Sequence, residues 1–243
     1  MKKIIALVIS IAIASSFCAC GNSSAVKAVE KSIDAIGEVS IDSKDEIESV
    51  ENAYNALSDT EKKKVKNYSV LEEAKNSLAK QEYKVQYKEI LDDISYMCSQ
   101  SESLVSATRT LWDSQGTDIL GQTIYLADQL DTLNMTEEEF AKDFDELGKD
   151  ITHFMYLYNS VKNQVSENNE ELNQRIKDLK DKYGDDADKS ESIQALIDYY
   201  IECSSYADFA TNPSGNKFTY IQKADEYETK VKTLFKKVDL AGA

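Results

Sequence analysis

The sequence predicts an all-α protein with a small N-terminal multi-helix module followed by an antiparallel helical bundle. Three observations lead to this prediction. The 243 residues include only 8 glycines and 1 proline, the residue types that form sheet turns and interrupt helices. Apolar residues recur at spacings of three and four, which is typical of amphipathic helices. Serines followed three positions later by glutamate mark several predicted helix starts.

Residues 1–19 are predicted to be a lipoprotein signal peptide and are excluded from the predicted fold. Lys2 and Lys3 form a basic start, and an apolar stretch follows from Ile4 to Phe17. This stretch is shorter than the roughly 20 residues that a membrane-spanning helix needs. It has the length and the basic flank of a secretory signal.

The end of the apolar stretch, Phe17-Cys18-Ala19-Cys20-Gly21, resembles a bacterial lipobox. Cys20 follows a small residue, whereas Cys18 follows a bulky one, so Cys20 is the predicted lipidation site. Residues 20–25 would then be a short lipid-anchored tether. The alternative is ordinary secretion with these cysteines retained.

The charge of the chain limits its partners. Removal of residues 1–19 takes two positive charges and no negative charge from the net charge of −16, which leaves −18. A body this acidic is repelled by nucleic acid and by anionic lipid. We therefore expect no nucleic-acid binding, and we expect the lipid on Cys20 to hold the protein at the extracytoplasmic face of the cell membrane.

Residues 26–80 are predicted to form the small helical module. Two sets of apolar residues each define one helix face, and three Ser-x-x-Glu patterns predict capping boxes at helix starts. The apolar sets are Val26, Val29, Ile33 and Ile36, then Ile47, Val50, Tyr54 and Leu57; the boxes are Ser43/Glu46, Ser58/Glu61 and Ser69/Glu72.

This segment resembles a small helical module that recurs in secreted and surface proteins of Gram-positive, mainly clostridial, bacteria. The residues that carry the resemblance are Ala35-Ile36-Gly37, Val39, Ile47, Ala53-Tyr54, Ala56-Leu57, Val65, Asn67-Tyr68, Leu71 and Ala74. The resemblance implies a surface accessory module with no established chemistry.

Residues 82–240 are predicted to form the helical bundle. Helices are expected over about 82–114, 119–133, 140–179, 190–210 and 218–238, with a possible break at Asn168-Asn169. Pro213 and Gly215 lie in one short segment between the last two helices, which predicts a helix hairpin. The pattern leaves open whether the helix of 70–80 continues into that of 82–114.

The bundle segment resembles a group of uncharacterised helical proteins of Gram-positive bacteria and their prophages. The shared features are the pair Leu111-Trp112 and the run Ala210-Thr211-Asn212-Pro213-Ser214-Gly215 before a last amphipathic helix. This group implies no known activity.

Cys98 and Cys203 lie in apolar helical segments. Outside the cytoplasm two such cysteines could form a disulfide. They could equally be small buried hydrophobic residues with free thiols, which we favour because the chain is long enough to form a core without a disulfide.

No catalytic, cofactor or metal site is predicted. His153 is the single histidine and has no second ligand at a suitable spacing. The acids Asp185, Asp186 and Asp188 do not fit the EF-hand template, so a solvated loop with a helix cap is expected there. Glu137–Glu139 suit the first turn of a helix, where the helix dipole stabilises acids.

The last hairpin is rich in tyrosine. Tyrosines pack between helices, but exposed ones can anchor a partner. Tyr206 and Tyr220 are therefore predicted partner-binding residues if they are exposed. Within the hairpin we expect one set of side chains to face the other: Ile197, Tyr200, Ile201 and Cys203 against Ile221, Ala224, Tyr227, Val231 and Leu234.

These features favour a non-enzymatic surface lipoprotein that acts as an interaction or envelope accessory module with an unidentified protein partner. The alternative is a solute- or glycan-binding lipoprotein. The usual two-lobed binding fold needs strands and glycines, which this sequence does not provide.

Overall fold

A computed structural model of the chain describes residues 23–115, 123–124, 146–163 and 169–242. The described residues form eight α-helices and one 3₁₀ turn, and no strand occurs among them. The prediction of an all-α helical bundle is confirmed. The predicted signal peptide, Cys20 and most of the predicted helix 119–133 lie outside the described residues.

The helices are numbered here in chain order. They are α1 (Ser23–Ala35), α2 (Lys44–Asn55), α3 (Asp59–Lys62), α4 (Tyr68–Gln115), α5 (Glu146–Asn163), α6 (Asn169–Tyr183), α7 (Ala187–Thr211) and α8 (Lys217–Gly242), and the 3₁₀ turn spans Ile41–Ser43. The chain divides into two compact units between Gln81 and Glu82.

Helix α4 is a single helix of 48 residues. This answers the open question of whether the helices of 70–80 and 82–114 are continuous. The reason is visible in the sequence, because neither glycine nor proline occurs between Tyr68 and Gln115 and nothing therefore breaks the backbone hydrogen bonding.

The N-terminal unit has its own apolar core, to which α1, α2 and the first part of α4 contribute. Helix α1 begins at Ser23, inside the predicted tether of residues 20–25. The two serines at its start suit a helix N-terminus. Helix α1 therefore begins about one turn before Val26, the first residue of its apolar stripe. The buried core residues are Val29, Ile33, Ile47, Val50, Leu57, Leu71, Ala74 and Leu78.

One of the three predicted capping boxes in this unit is confirmed. Ser58 N donates to Glu61 Oε2 at 3.0 Å, and Ser58 caps α3. The Ser43/Glu46 box is wrong, since Ser43 already belongs to the 3₁₀ turn and pairs with Ser40. The Ser69/Glu72 box is also wrong, because α4 begins one residue before Ser69.

Asn67 connects the start of α4 to α1. Its Nδ2 donates to Glu30 O at 2.9 Å and to Asp34 Oδ1 at 2.7 Å, while Lys66 N donates to Glu30 Oε1 at 3.0 Å. These bonds give partners to backbone groups in a segment without helical hydrogen bonds. They therefore fix where α4 begins.

Two helices of the C-terminal unit run antiparallel to α4. The pairs Lys182–Glu82 and Arg175–Asp93 place α6 antiparallel to α4. Helix α8 is also antiparallel to α4, because Tyr220 contacts Trp112 near one end of the pair while Tyr87 donates to Val238 O near the other.

Helices α7 and α8 form the predicted hairpin. The ring pairs Tyr199–Phe235, Tyr206–Tyr227 and Phe209–Tyr220 show the antiparallel direction. Gly215 has φ +87° in the connection, a value that favours glycine, and a Cβ there would lie 2.8 Å from Thr219 Oγ1.

One predicted contact residue of the hairpin is wrong. Ile201 is 56 % exposed, because it lies on the polar stripe of α7 with Asp198 and Asp208 rather than on the buried stripe with Tyr200 and Cys203. The remaining predicted residues of α7 and α8 are buried or half-buried.

Candidate functional site

Tyr206 and Tyr220 do not form an exposed partner-binding face. Both side chains are fully buried, with 0 % exposure, so this prediction is wrong. The physical reason is that the hairpin packs against α4, and the apolar stripe that holds both tyrosines is the stripe that α7 and α8 bury.

The two tyrosines belong to a group of five aromatic side chains, named here the Tyr206 cluster. Tyr206 stacks on Tyr227 with ring centroids 5.4 Å apart. Tyr220 stacks on Phe209 at 4.7 Å and meets Trp112 edge-on at 4.9 Å. These geometries are those that aromatic pairs prefer, so the cluster joins three helices, α4, α7 and α8.

The Tyr206 cluster is poor in hydrogen bonds. Among the residues described here, Tyr206 Oη and Trp112 Nε1 are buried without a partner. Burial raises the pKa of Tyr206 and raises that of Tyr220 to about 12, against the opposing effects of Thr108 and Arg109. These phenols stay neutral at ordinary pH, and their rings serve as core anchors.

An ion pair closes one side of this cluster. Arg109 Nη2 donates to Asp225 Oδ1 at 2.8 Å and to Glu228 Oε1 at 3.3 Å. The Arg109 side chain is 29 % exposed, so it lies at the edge of the core. Sequence reasoning missed this contact because the partners are more than 100 positions apart.

A groove of about 280 Å³ lies beside α4 and α5 in the C-terminal unit. Its described lining is mostly polar, and it includes the single histidine of the chain. Ser103 Oγ donates to Ser99 O at 2.9 Å and Thr110 Oγ1 donates to Ser106 O at 3.1 Å, which leaves both hydroxyl oxygens able to accept. The lining residues are Ser103, Ser106, Ala107, Thr110 and His153.

At about 280 Å³ the groove is slightly smaller than the roughly 300–1,000 Å³ that is usual for ligand pockets. His153 is exposed and Phe154 beside it is fully buried. The signal that sequence reasoning missed is the recurrence of hydroxyl residues at 103, 106 and 110, which places them on one face of α4.

Cys98 and Cys203 are both buried and carry free thiols. They belong to different helices, and Cys98 is among the neighbours that raise the pKa of the Cys203 thiol, so the two side chains lie near each other. Tyr199 also contacts Cys203, and Ser95 contacts Tyr199. Burial is the largest of the effects that raise the pKa of Cys203, so its thiolate is strongly disfavoured in the folded chain.

The acidic loop before α7 has the predicted capping role. Asp186 Oδ1 accepts a hydrogen bond from Asp188 N at 3.1 Å at the start of α7. Asp186 also pairs with Lys189 at 2.8 Å, and this contact is the main reason that the pKa of Asp186 lies below its usual range. Glu137–Glu139 lie outside the described residues.

Within the part of the chain that the structure describes, no group of three or more histidine, cysteine, aspartate or glutamate side chains is placed to hold a metal ion. None of the described helices has the length and apolar character to cross a membrane. Comparisons with protein-family models, with curated proteins and with solved structures find no match to this chain.

Proposed function

We propose that this protein is a membrane-anchored surface lipoprotein that acts as a non-enzymatic interaction or envelope accessory module. The observation that carries the proposal is the lipobox-like run ending in Cys20, directly after the basic and apolar start of the chain. The lipid on Cys20 is the proposed membrane attachment.

The start of α1 supports a close attachment. Only Gly21 and Asn22 separate Cys20 from the first residue of α1. At about 3.3–3.6 Å per residue, three residue steps span at most roughly 11 Å. A lipid on Cys20 would therefore hold the N-terminal unit next to the membrane.

The net charge of the protein supports the view that its membrane attachment depends on the lipid. The chain after residue 19 carries a net charge of −18, and an anionic membrane surface repels such a body. Without its lipid the protein has no electrostatic attraction that would keep it on such a membrane.

The experiment compares Cys20→Ala with Cys18→Ala in cells grown with an alkyne fatty acid. We expect Cys20→Ala to lose the lipid label and to leave the mature membrane fraction, either into the medium or as an unprocessed form. Cys18→Ala is the matched control, because it removes a cysteine two positions away and should keep both properties. Normal labelling and processing of Cys20→Ala would reject the anchor site.

The interaction role is tested with the same two variants by crosslinking on intact cells. A specific partner should be recovered with Cys18→Ala and lost with Cys20→Ala, since only the first is expected to stay at the membrane. Recovery of the same partner with both variants would show that the interaction does not need the anchor.

A solute- or glycan-binding lipoprotein is the second candidate function, and the groove at His153 favours it. Three hydroxyl residues and an imidazole line the groove, and such groups can hydrogen-bond to a ligand rich in hydroxyls. Saturable binding of a small solute to the purified protein, with no partner on intact cells, would favour this function over the first.

A further inference from the structure

Helices α4 and α7 run side by side in the same direction with a nearly constant offset in residue number. Tyr87 Oη lies 3.4 Å from Ser192 O, a separation of 105 positions, and Tyr83 Oη lies 2.9 Å from Ser192 Oγ, a separation of 109 positions. Ser95 contacts Tyr199, 104 positions later. A residue of α4 therefore meets residues of α7 that lie 104 to 109 positions further along the chain.

Cys98 and Cys203 fit this register, because they are separated by 105 positions. Their side chains are almost completely buried, at 4 % and 0 % exposure. A disulfide needs two cysteines whose Cβ atoms approach within about 3.5–4.5 Å. Two buried cysteines at the same level of adjacent helices are placed for such an approach.

We propose that Cys98 and Cys203 form one intramolecular disulfide in the exported protein, which ties α4 to α7. The proposal rests on the proposed function in one respect, since export brings the chain into a compartment where disulfides persist. The sequence alone favours free thiols. The parallel register of α4 and α7, which brings two buried cysteines to the same level, favours the disulfide.

The oxidant is a disulfide, either of a small molecule or of a dithiol oxidoreductase. One cysteine thiolate attacks a sulfur of the oxidant, which forms a mixed disulfide and releases the first oxidant thiolate. The second cysteine thiolate then attacks the protein sulfur of the mixed disulfide, which forms the S–S bond and releases the second thiolate. The protein thiols lose two electrons and two protons, and the oxidant disulfide is reduced to two thiols.

Burial of the two cysteines determines when during folding the disulfide can form. Because the pKa of the Cys203 thiol is raised in the folded chain, little thiolate is present to attack an oxidant. The exchange therefore takes place while the chain is still open. Once the bundle has closed, the thiol form should oxidise slowly and the disulfide form should resist an external reductant.

The test uses the full chain with Cys18→Ser and Cys20→Ser, which leaves Cys98 and Cys203 as the two remaining cysteines of four. The reduced chain is unfolded and then refolded in a mixture of reduced and oxidised glutathione. We expect a mass lower by two hydrogens, a fall in free thiols from two to zero per chain, and one crosslinked peptide pair that contains both residues.

Retention of both thiols, or a glutathione adduct on each, would overturn the proposal, because either result means that the two sulfurs do not reach each other. Adding Cys98→Ser or Cys203→Ser to the same background provides the control. Each such chain keeps one thiol and should take up one glutathione during refolding. Retained helical circular dichroism shows whether these chains still fold.

The second arm uses the unmodified chain from the membrane fraction of cells whose thiols are blocked before lysis. We expect the Cys98–Cys203 peptide pair, and two blocked thiols at these positions would overturn the proposal for the exported protein. The refolding arm does not depend on lipidation. A disulfide without lipid on Cys20 would reject the anchor alone, and lipid on Cys20 without a disulfide would reject this inference alone.

Discussion

Two aromatic clusters in the C-terminal unit differ in the hydrogen bonding of their tyrosine hydroxyl groups. In the first cluster, formed by Tyr83, Tyr87 and Tyr183, Tyr83 Oη lies 2.9 Å from Ser192 Oγ and Tyr87 Oη donates to Val238 O at 3.2 Å. In the Tyr206 cluster, the Tyr206 hydroxyl is buried without a partner among the described residues.

The difference shows that tyrosine has two uses in this bundle. A buried hydroxyl with a partner fixes the register of two helices, while one without a partner costs roughly 1–3 kcal/mol that the ring must offset. The rings of both clusters pack at favourable distances, and aromatic pairs contribute about 0.5–1.5 kcal/mol beyond the area that they bury.

The two clusters also differ in the contacts of the basic side chain beside them. Lys189 Nζ lies 5.4 Å above the Tyr83 ring and 4.9 Å from the centre of the Tyr183 ring. Arg109 instead pairs with two carboxylates at the edge of the Tyr206 cluster. The first cluster is therefore stabilised by polar contacts to its tyrosines, and the second mainly by packing.

The largest expected effect is that of Tyr206→Ala. Removal of a fully buried ring leaves a cavity, and such truncations of aromatic residues cost about 3–5 kcal/mol. Urea unfolding should show this loss as a lower midpoint with an unchanged slope. Tyr96→Ala is the control, because Tyr96 is 56 % exposed and its replacement should change stability by less than about 0.5 kcal/mol. Equal stability of the two variants would contradict the buried position of Tyr206.

A smaller effect is expected for Tyr220→Phe at alkaline pH. The pKa of Tyr220 is about 12 in the folded chain, compared with 10.0 for an exposed tyrosine. Below pH 10 the Tyr220 hydroxyl is protonated in both the folded and the unfolded chain, so this residue causes no loss of stability there. Between pH 10 and pH 12 the unfolded chain ionises first, so stability falls by roughly 2–3 kcal/mol from this residue.

Tyr220→Phe removes this contribution, and its stability should therefore fall less steeply above pH 10 than that of the unmodified protein. The measurement is a series of urea midpoints from pH 8 to pH 11.5. Tyr96→Phe serves as the exposed control and should follow the unmodified protein. Identical slopes for all three proteins would mean that Tyr220 ionises as easily in the folded state as in the unfolded one.

The sequence was sufficient to predict the helices because each helix is specified locally. The absence of glycine and proline from Tyr68 to Gln115 accounts for the continuous α4, although the apolar pattern left its continuity open. The pair Pro213 and Gly215 predicts the hairpin connection through short-range effects. The Ser58/Glu61 box succeeded for the same reason. The Ser43/Glu46 box failed because Ser43 belongs to a 3₁₀ turn that begins at Ile41 and has Ser40 as its N-cap.

The candidate site was less predictable because its contacts connect distant positions. Tyr206 and Tyr220 lie on amphipathic helices, where a tyrosine at the edge of the apolar stripe can be buried or exposed, and packing against α4 decides between these outcomes. The shared level of Cys98 and Cys203 depends on the parallel register of α4 and α7. Periodicity within one helix carries no information about that register.

The smallest expected effect compares two hydroxyl deletions, Tyr83→Phe and Tyr206→Phe. Ser192 Oγ donates to Lys189 O at 3.0 Å, so its lone pairs are available to accept from the Tyr83 hydroxyl. Loss of this bond should lower the free energy of unfolding by about 1 kcal/mol. Tyr206→Phe removes a buried hydroxyl that has no partner among the described residues, so it should leave the stability unchanged or raise it slightly.

The matched design isolates the hydrogen bond, since both substitutions keep the ring and remove one oxygen. Urea midpoints measured at pH 7 should separate the two variants, with Tyr83→Phe below the unmodified protein and Tyr206→Phe at or above it. The reverse order would mean that the Tyr206 hydroxyl has a strong partner. In that case the Tyr206 cluster would be held by polar contacts like the first cluster, and the contrast between the two regions would disappear.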